Sequence, residues 1–183
     1  MKKTKIISLI MVLAMLISAF SMIGASAEEA GDANLKFSGA TLSIDSDITV
    51  YFLVAQDALV NYDSFYATFV VSGRESTTSE YFEYDYEGTK YYMFPCYDVA
   101  AKEINDTITA NIYAVKNGDT TQGTSLTYSV ATYCYNRLNA QDSSEKMKKL
   151  AADLLIYGAA AQTKFNYNTE NLATATMTDA HKA

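Results

Sequence analysis

The sequence contains no tryptophan, one proline and one histidine among its 183 residues. Serine and cysteine nucleophiles are normally activated by a histidine held in fixed geometry. The one histidine, His181, lies among the last three residues, where we expect a fraying chain, so we do not expect a histidine-based hydrolase. Glycoside hydrolysis needs only two carboxylates, but the 21 acidic residues indicate no particular pair. We predict that the protein is not an enzyme and keep a glycoside hydrolase as an alternative.

Cysteine and histidine are also too scarce for a zinc site with ordinary ligand spacing, since only Cys96 and Cys134 accompany the histidine. The acidic cluster at 45–47 lacks the glycine and the terminal glutamate of an EF-hand loop, and we expect an ordinary turn there. We therefore predict no metal and no cofactor. Two interpretations of the cysteines stay open. They form a disulfide, as an even count in an exported chain suggests, or they are two small buried thiols.

Long hydrophobic runs are absent outside the first part of the chain. There, three lysines precede an apolar run over 6–23, which closes on the small residues Ala-Ser-Ala. This order is typical of a secretory signal peptide, with cleavage after Ala27. We predict a signal peptide over 1–27, a secreted, extracellular protein and no membrane span after cleavage.

Basic residues are outnumbered, with 14 lysines and arginines against 21 acidic residues and a net charge of −7. Removal of the predicted signal peptide would take away three lysines and no acid. Nucleic acids and anionic lipid surfaces are bound chiefly through lysine and arginine. We therefore exclude nucleic acid as a partner and expect a carbohydrate or a cell-surface protein.

Apolar and polar side chains alternate along short segments between 28 and 123, as in strands with one face on a core. The clearest is 48–54, whereas 65–71 is apolar almost throughout, which predicts a strand covered on both sides. A hairpin is predicted over 82–94, with Gly88 at its turn. We predict an α+β protein whose residues 28–123 form an antiparallel β-sandwich of the immunoglobulin or fibronectin type III kind, without the tryptophan core of true immunoglobulin domains.

Beyond these strands the hydrophobic period changes to three and four residues, which predicts a helical hairpin over 124–165, packed on the same domain. Asp142 followed by Glu145 has the spacing of a capping box at the start of the second helix. Gly158 lies in an apolar stretch of that helix, which predicts burial on several sides and close approach of another backbone. Residues 166–183 are predicted to form a polar tail whose last ten residues are loose.

Tyrosine is abundant, with 15 in the chain, and several crowd the predicted hairpin. Tyrosine combines a large area with few rotatable bonds, so rings on a β-surface can stack on sugars or anchor a protein partner. The alternative is that alternate rings fill the core and the others pair across strands. The candidate ligand-binding residues are Tyr81, Tyr84, Tyr86, Tyr91 and Tyr92.

Four segments carry a resemblance to a known group of proteins: SGATLSIDSDITVYF at 38–52, FPCYDVAAKEINDTITANIYAV at 94–115, VATYCYNRL at 130–138 and LIYGAAAQTKFNYNTENLA at 155–173. Together they resemble an uncharacterised secreted module of surface proteins from clostridial, Gram-positive anaerobes. In larger relatives a similar module looks like a terminal or interdomain unit of surface proteins, some of which carry carbohydrate-active domains, and the family has no assigned activity or catalytic residue. The resemblance implies export and a bacterial surface context.

These observations together predict a secreted, non-catalytic extracellular module that binds a surface glycan or a protein partner. A structural or spacer component of a cell-surface assembly is the alternative. Such a component would oligomerise through the apolar helical segment 154–165, because a helix that is apolar on all sides must be buried by something.

Overall fold

The computed structural model describes residues 31–45 and 47–181, and the predicted signal peptide lies outside them. The described residues form ten strands in two sheets, together with two α-helices. The strands are β1 (Asp32–Lys36), β2 (Gly39–Ile44), β3 (Ile48–Ala55), β4 (Ser64–Val71), β5 (Arg74–Thr78), β6 (Phe82–Tyr86), β7 (Thr89–Cys96), β8 (Ile108–Lys116), β9 (Asp119–Thr124) and β10 (Leu126–Tyr128). The helices are α1 (Val130–Asn139) and α2 (Glu145–Lys164). The predicted α+β class is confirmed.

The larger sheet has the strand order β1-β9-β8-β4-β5, with β10 also paired to β8, and the smaller sheet has the order β2-β3-β7-β6. The strand pairs are antiparallel except for β1 and β9, which run parallel. The larger sheet is therefore mixed, whereas the alternation pattern led us to expect antiparallel strands throughout. Gly123 admits this parallel pairing, because a Cβ there would lie 2.0 Å from the carbonyl oxygen of Leu35.

Three hairpins of the two sheets turn through two residues that both have positive φ: Ser72-Gly73, Glu87-Gly88 and Asn117-Gly118. Two-residue turns with this backbone match the right-handed twist of the flanking strands, and glycine adopts positive φ without steric cost. The hairpin predicted over 82–94 is confirmed, with Tyr86 opposite Thr89 across the turn.

The two sheets pack face to face through the side chains that alternate inward. The Phe52 ring of β3 lies 5.3 Å from the Phe69 ring of β4, centroid to centroid, and Phe37 contacts Phe52 at 5.5 Å. The alternation over 48–54 produces this arrangement, because β3 sends Val50, Phe52 and Val54 into the core. Truncation of Phe52 to alanine would lower the free energy of unfolding by about 3–5 kcal/mol.

The apolar run at 65–71 forms β4, between β8 and β5. Its Ala67, Phe69 and Val71 side chains are buried between the sheets. On the other face Tyr66 is only half-buried and stacks on Tyr113 of β8, with ring centroids 4.9 Å apart. The expectation that this strand is covered on both sides therefore fails at Tyr66 and Val70, which are half-buried, whereas Thr68 on the same face is buried.

Both helices begin at a serine cap. The Ser129 hydroxyl accepts a hydrogen bond from the Thr132 amide at 3.0 Å, and the Ser144 hydroxyl accepts one from the Met147 amide at 3.3 Å. The capping box predicted from Asp142 is wrong, because α2 starts later, at Glu145. Ser144, directly before the helix, caps a free amide of the first turn, which is the role that the prediction gave to Asp142.

The apolar second half of α2 is buried on one side only. Gly158 faces the turn at Ala101–Glu103, where a Cβ would lie 2.9 Å from Ile104 Cδ1 and 3.3 Å from the Ala101 carbonyl oxygen. The predicted close approach is thus confirmed. Ile156 and Tyr157, however, are 47% and 61% exposed, so the expectation of burial on several sides fails at these two residues.

The segment after α2 is held to the domain by buried polar contacts. Gln162 is fully buried; its side-chain amide donates to the Asn171 carbonyl at 3.0 Å, and its Oε1 accepts from the Ala173 amide at 2.8 Å. The Tyr135 hydroxyl also donates to the Ala173 carbonyl at 2.8 Å, and Met177 is buried. The expectation of a loose end is therefore wrong as far as Met177.

Cys96 and Cys134 are free thiols, and both are buried. Burial raises the pKa of each thiol to about 12. The sequence left two interpretations open, a disulfide or two buried thiols, and the structure has the two buried thiols.

Candidate functional site

The five candidate tyrosines are divided between two places in the fold. Tyr84, Tyr86 and Tyr91 lie on the outer face of the smaller sheet, away from the core between the sheets. Tyr81 and Tyr92 instead pack against each other beside the core, with ring centroids 4.5 Å apart. The five tyrosines that were predicted as one site therefore belong to two separate aromatic groups.

The outer face of the smaller sheet carries a continuous aromatic surface, which we call the outer-face strip. Its base is formed by Leu53, Tyr91 and Met93, which are 1%, 9% and 4% exposed. The base is surrounded by half-buried side chains from β3 and β6: Tyr51, Ala55, Phe82, Tyr84 and Tyr86. Half-buried rings over a buried apolar base form a firm surface that still contacts solvent.

Strand alternation and hairpin register assemble the strip. Phe82 pairs with Met93, Tyr84 with Tyr91 and Tyr86 with Thr89 across the hairpin. Opposed residues share a face of the sheet, so the even-numbered rings of β6 lie over the apolar residues of β7. The turn is fixed by a hydrogen bond from the Gly88 amide to Asp85 Oδ1 at 3.2 Å.

Tyr84 and Tyr86 are the outermost pair of the strip. Their ring centroids are 6.4 Å apart and their planes are inclined by only 19°, so two aromatic faces have nearly the same orientation. Both rings belong to β6, an end strand of the smaller sheet. Two nearly parallel, half-buried rings therefore lie side by side at this edge of the smaller sheet.

The electrostatics of this pair keep both phenols protonated. Burial raises the pKa of Tyr84, as does the negative charge of Asp85. Burial and the neighbouring Glu87 raise the pKa of Tyr86. A protonated phenol can both donate and accept a hydrogen bond, as a hydroxyl-rich ligand requires.

Tyr91 does not fit the ligand-binding role predicted for it. It is 9% exposed and supports the rings above it, so its face is not open to a ligand. Tyr92 stacks on Phe65 at 5.2 Å, and Tyr81 lies 5.1 Å from the same ring. These contacts close the gap between the two sheets, and they give Tyr81 and Tyr92 a packing role, although Tyr81 is 40% exposed.

A polar cluster that sequence reasoning missed joins the turn between β4 and β5 to the C-terminal segment. Arg74 donates to both oxygens of Glu103, at 2.5 and 2.8 Å, and the Glu103 carboxylate is 2% exposed. The Asp106 carboxylate accepts from the hydroxyls of Ser72 and Tyr167. These residues are far apart in the chain and follow no motif, so only the fold brings them together.

The outer face of the larger sheet carries a second, smaller aromatic group, also missed. Its stacked rings, Tyr66 and Tyr113, are inclined by only 10°. The neighbouring Asn111 donates to the Thr68 hydroxyl at 3.3 Å and accepts from Ser125. Here the polar side chains hydrogen-bond to one another and the two rings stack on each other. This face therefore has fewer free polar groups and less open ring surface for a ligand than the outer-face strip has.

Within residues 31–45 and 47–181, no group of three histidine, cysteine or acidic side chains is placed to hold a metal ion. In the same part of the chain, no helix has the length and apolar character needed to cross a membrane. Neither a family model, nor a curated protein, nor a solved structure matches the chain.

Proposed function

We propose that the protein is a secreted, non-catalytic extracellular module that binds a glycan of a bacterial cell surface through the outer-face strip. The observation that carries this proposal is the pair of nearly parallel, half-buried rings of Tyr84 and Tyr86 on an end strand. The N-terminal pattern over 1–27 supports export, and the resemblance to clostridial surface proteins supports the location.

The chemistry of the strip suits a sugar. The C–H groups on one side of a pyranose ring form an apolar face, which gains contact area against an aromatic ring, while its hydroxyls need hydrogen-bond partners. Tyr84 and Tyr86 offer both, because their phenols stay protonated. The buried base of Leu53 and Met93 holds the surface in place, which limits the ordering cost of binding.

Charge favours a neutral glycan. The chain has a net charge of −7. Glu83 and Asp85 are exposed on the opposite face of the same edge strand, and Glu87 is exposed at its turn. A polyanionic polymer would be repelled by this surface at moderate ionic strength. The proposed ligand is therefore an uncharged polysaccharide.

We also propose that the two sheets form a sandwich of the immunoglobulin or fibronectin type III kind, followed by a helical hairpin. The packing of Phe52 on Phe69 between the sheets supports the first part. The short connection between α1 and α2 supports the second. In such a sandwich the outer face of each sheet is available for binding.

A structural component of a cell-surface assembly is the second candidate function. It is favoured by the exposed apolar side chains of α2, Ile156 and Tyr157. A protein partner on the outer-face strip would equally use aromatic anchors. A binding experiment distinguishes these alternatives from glycan binding, because neither predicts that the protein binds a purified polysaccharide.

The direct test is sedimentation of the purified protein with insoluble neutral polysaccharides, beside Tyr84→Ala and Tyr86→Ala variants. Tyr66→Ala is the matched control, because that half-buried ring is also stacked but lies on the other sheet. We expect each strip variant to lose at least tenfold in affinity and the control to bind as the unaltered protein does. Equal loss in the control, or no binding to any neutral polysaccharide, would contradict the proposal.

A further inference from the structure

The chain has two arginines, which lie in different environments. Arg74 has a side chain that is 58% exposed, and it donates to both oxygens of Glu103. Arg137 lies in the last turn of α1 and is only 3% exposed. None of the ion pairs within the described part of the chain includes Arg137. The more deeply buried guanidinium is therefore the one without a counter-ion.

Arg137 also lacks hydrogen-bond partners. Three buried side-chain atoms of residues 31–45 and 47–181 have none: Arg137 Nε, Arg137 Nη1 and Ser143 Oγ. Both residues belong to the connection between α1 and α2, where the Ala140 amide donates to the Asn136 carbonyl at 3.0 Å and the Ser143 amide donates to the Ala140 carbonyl at 3.3 Å. We call this segment, residues 136–144, the helix junction. Unpartnered buried polar groups usually mark a site that a further molecule completes.

The two tyrosines nearest in charge interaction do not neutralise Arg137. Its Cζ lies 5.7 Å from the centroid of the Tyr133 ring, and this contact leaves Nε and Nη1 without acceptors. Burial raises the pKa of Tyr133, and it raises the pKa of Tyr128 in β10 to about 12, so both phenols are uncharged at neutral pH. An arginine does not give up its proton in a protein. The positive charge of Arg137 is therefore permanent and uncompensated by these neighbours.

We infer that the helix junction binds a carboxylate of another molecule, with Arg137 as its counter-ion and Ser143 as a further hydrogen-bond donor. Burying an unpaired charge is costly, and an anion that accepts from its N–H groups removes much of that cost. One guanidinium matches one negative charge. A divalent anion would bring excess negative charge to a chain whose net charge is already −7.

The connection between the helices provides the way in. Residues 140–144 belong to neither helix, and connecting segments open more readily than the elements that they join. The carboxylate belongs to a small free acid or to the C-terminus of a peptide, since both present the same group to Arg137. The inference does not depend on glycan binding, because it uses none of the residues of the outer-face strip.

The first test is an NMR titration of the purified, nitrogen-15-labelled protein with sodium acetate at constant ionic strength. Two arginines give two Nε–H signals, and Arg74→Lys assigns them by removing one. We expect the Arg137 signal to shift and to saturate, because its Nε–H gains an acceptor. The Arg74 signal should stay in place, since that guanidinium is already paired with Glu103.

A peptide distinguishes the two sources of the carboxylate. N-acetyl-alanyl-alanine ends in a carboxylate, whereas its C-terminal amide is uncharged. Tighter binding of the acid peptide than of acetate, with no response to the amide, identifies a peptide terminus. Saturation by acetate without tighter binding of the peptide identifies a small acid.

The second test uses thermal unfolding, because a ligand that binds only the folded state raises the unfolding temperature. We expect the unaltered protein to be stabilised by acetate relative to chloride. Arg137→Met should lose this response, and Ser143→Ala should raise the acetate dissociation constant about fivefold, as the loss of one hydrogen bond does. Lys149→Met is the control, because it removes an exposed cation of α2 and should keep the response.

Three results would overturn the inference. They are an Arg137 signal that moves with neither acetate nor the acid peptide, equal shifts of both arginine signals, and an acetate response that Arg137→Met retains. The titration of the unaltered protein decides the question even if Arg137→Met does not fold.

Discussion

Gly158 in α2 lies directly against Ile104, so that a Cβ at this glycine would be 2.9 Å from Ile104 Cδ1. The same contact brings the helix to the turn at Ala101–Glu103. An alanine has higher helix propensity than a glycine by about 1 kcal/mol. At this position the gain in helix propensity is opposed by the contact of the new Cβ with Ile104 Cδ1, which is shorter than the usual distance between packed carbon atoms.

We therefore expect Gly158→Ala to destabilise the protein, by about 1–3 kcal/mol as in other overpacked sites. Urea unfolding measures this change. The double variant Gly158→Ala with Ile104→Val should recover part of the loss, because it removes a methyl group from the contact. A stabilised Gly158→Ala single variant would show that the helix is not held so closely.

Arg74 and Glu103 form an ion pair with a defined dependence on pH, in which the carboxylate is buried and the Arg74 side chain is 58% exposed. The hydrogen bonds from Arg74 hold the pKa of Glu103 below its ordinary value of 4.5. A lowered folded pKa gives stability that is present above the unfolded pKa and is lost as pH falls through the folded value. The pair should thus contribute fully near neutral pH and fade in acid.

In Arg74→Leu the burial of the unpaired carboxylate would raise the pKa of Glu103 instead. We expect this variant to lose about 3 kcal/mol near neutral pH. Its deficit should shrink as the pH is lowered from neutral into the acid range, because Glu103 of the variant takes up a proton at a higher pH than Glu103 of the unaltered protein does. Urea unfolding at neutral and at acid pH measures the difference in free energy of unfolding between the variant and the unaltered protein. A difference that does not change with pH would contradict this account. Lys149→Leu, which breaks an exposed helical pair with Asp153, is the control.

Gln162 is the main attachment of the C-terminal segment. Gln162→Leu would leave the Ala173 amide without its side-chain partner and the Asn171 carbonyl with only the Asn105 side chain as donor, at a cost of about 2 kcal/mol. Hydrogen exchange should then quicken over 168–177 and stay slow in the strands. Thr163→Val, which removes a hydroxyl bonded within the helix, should leave that exchange unchanged. Equal exchange in both variants would show that other contacts hold the segment.

The two cysteines should be unreactive in the folded protein. Each thiol is buried, and burial raises its pKa to about 12, so almost no thiolate exists at pH 8. We expect no alkylation before unfolding and two alkylated thiols after unfolding without reductant. Mass spectrometry counts the added groups. A mass without any added group after unfolding would reveal a disulfide between Cys96 and Cys134.

Much of the fold could be predicted from local pattern. The period of two along β3 and the turn at Gly88 depend on neighbouring residues, and both were predicted. The parallel pairing of β1 with β9 depends on contact between the two ends of the β-region. No local period encodes such a contact, although Gly123 is the residue that permits it.

The candidate site was only partly predictable for the same reason. Alternation alone places Tyr84 and Tyr86 on one face of β6, as the structure has them. It does not say that Tyr91 is covered by these rings, or that Tyr92 and Phe65 close the gap between the sheets. Those roles depend on which strands become neighbours.

The effect of each substitution on the free energy of unfolding distinguishes the tyrosines of the strip that pack the fold from those that are free to bind. Tyr91→Ala should lower the free energy of unfolding by about 3–5 kcal/mol, because it removes a buried ring. Tyr84→Ala should cost about 1 kcal/mol or less, since that ring is half-exposed. Thermal unfolding of both variants measures the difference. Equal destabilisation would mean that Tyr84 belongs to the packing rather than to a binding surface.

The most direct test of glycan binding uses cell envelopes of a clostridial anaerobe, with the purified protein and a Tyr84→Ala/Tyr86→Ala double variant. We predict saturable binding of the unaltered protein, at least a tenfold loss of affinity in the double variant, and loss of binding after periodate cleaves the vicinal diols of the envelope sugars. Binding that survives periodate but not protease treatment, or that the double variant retains, would contradict the account.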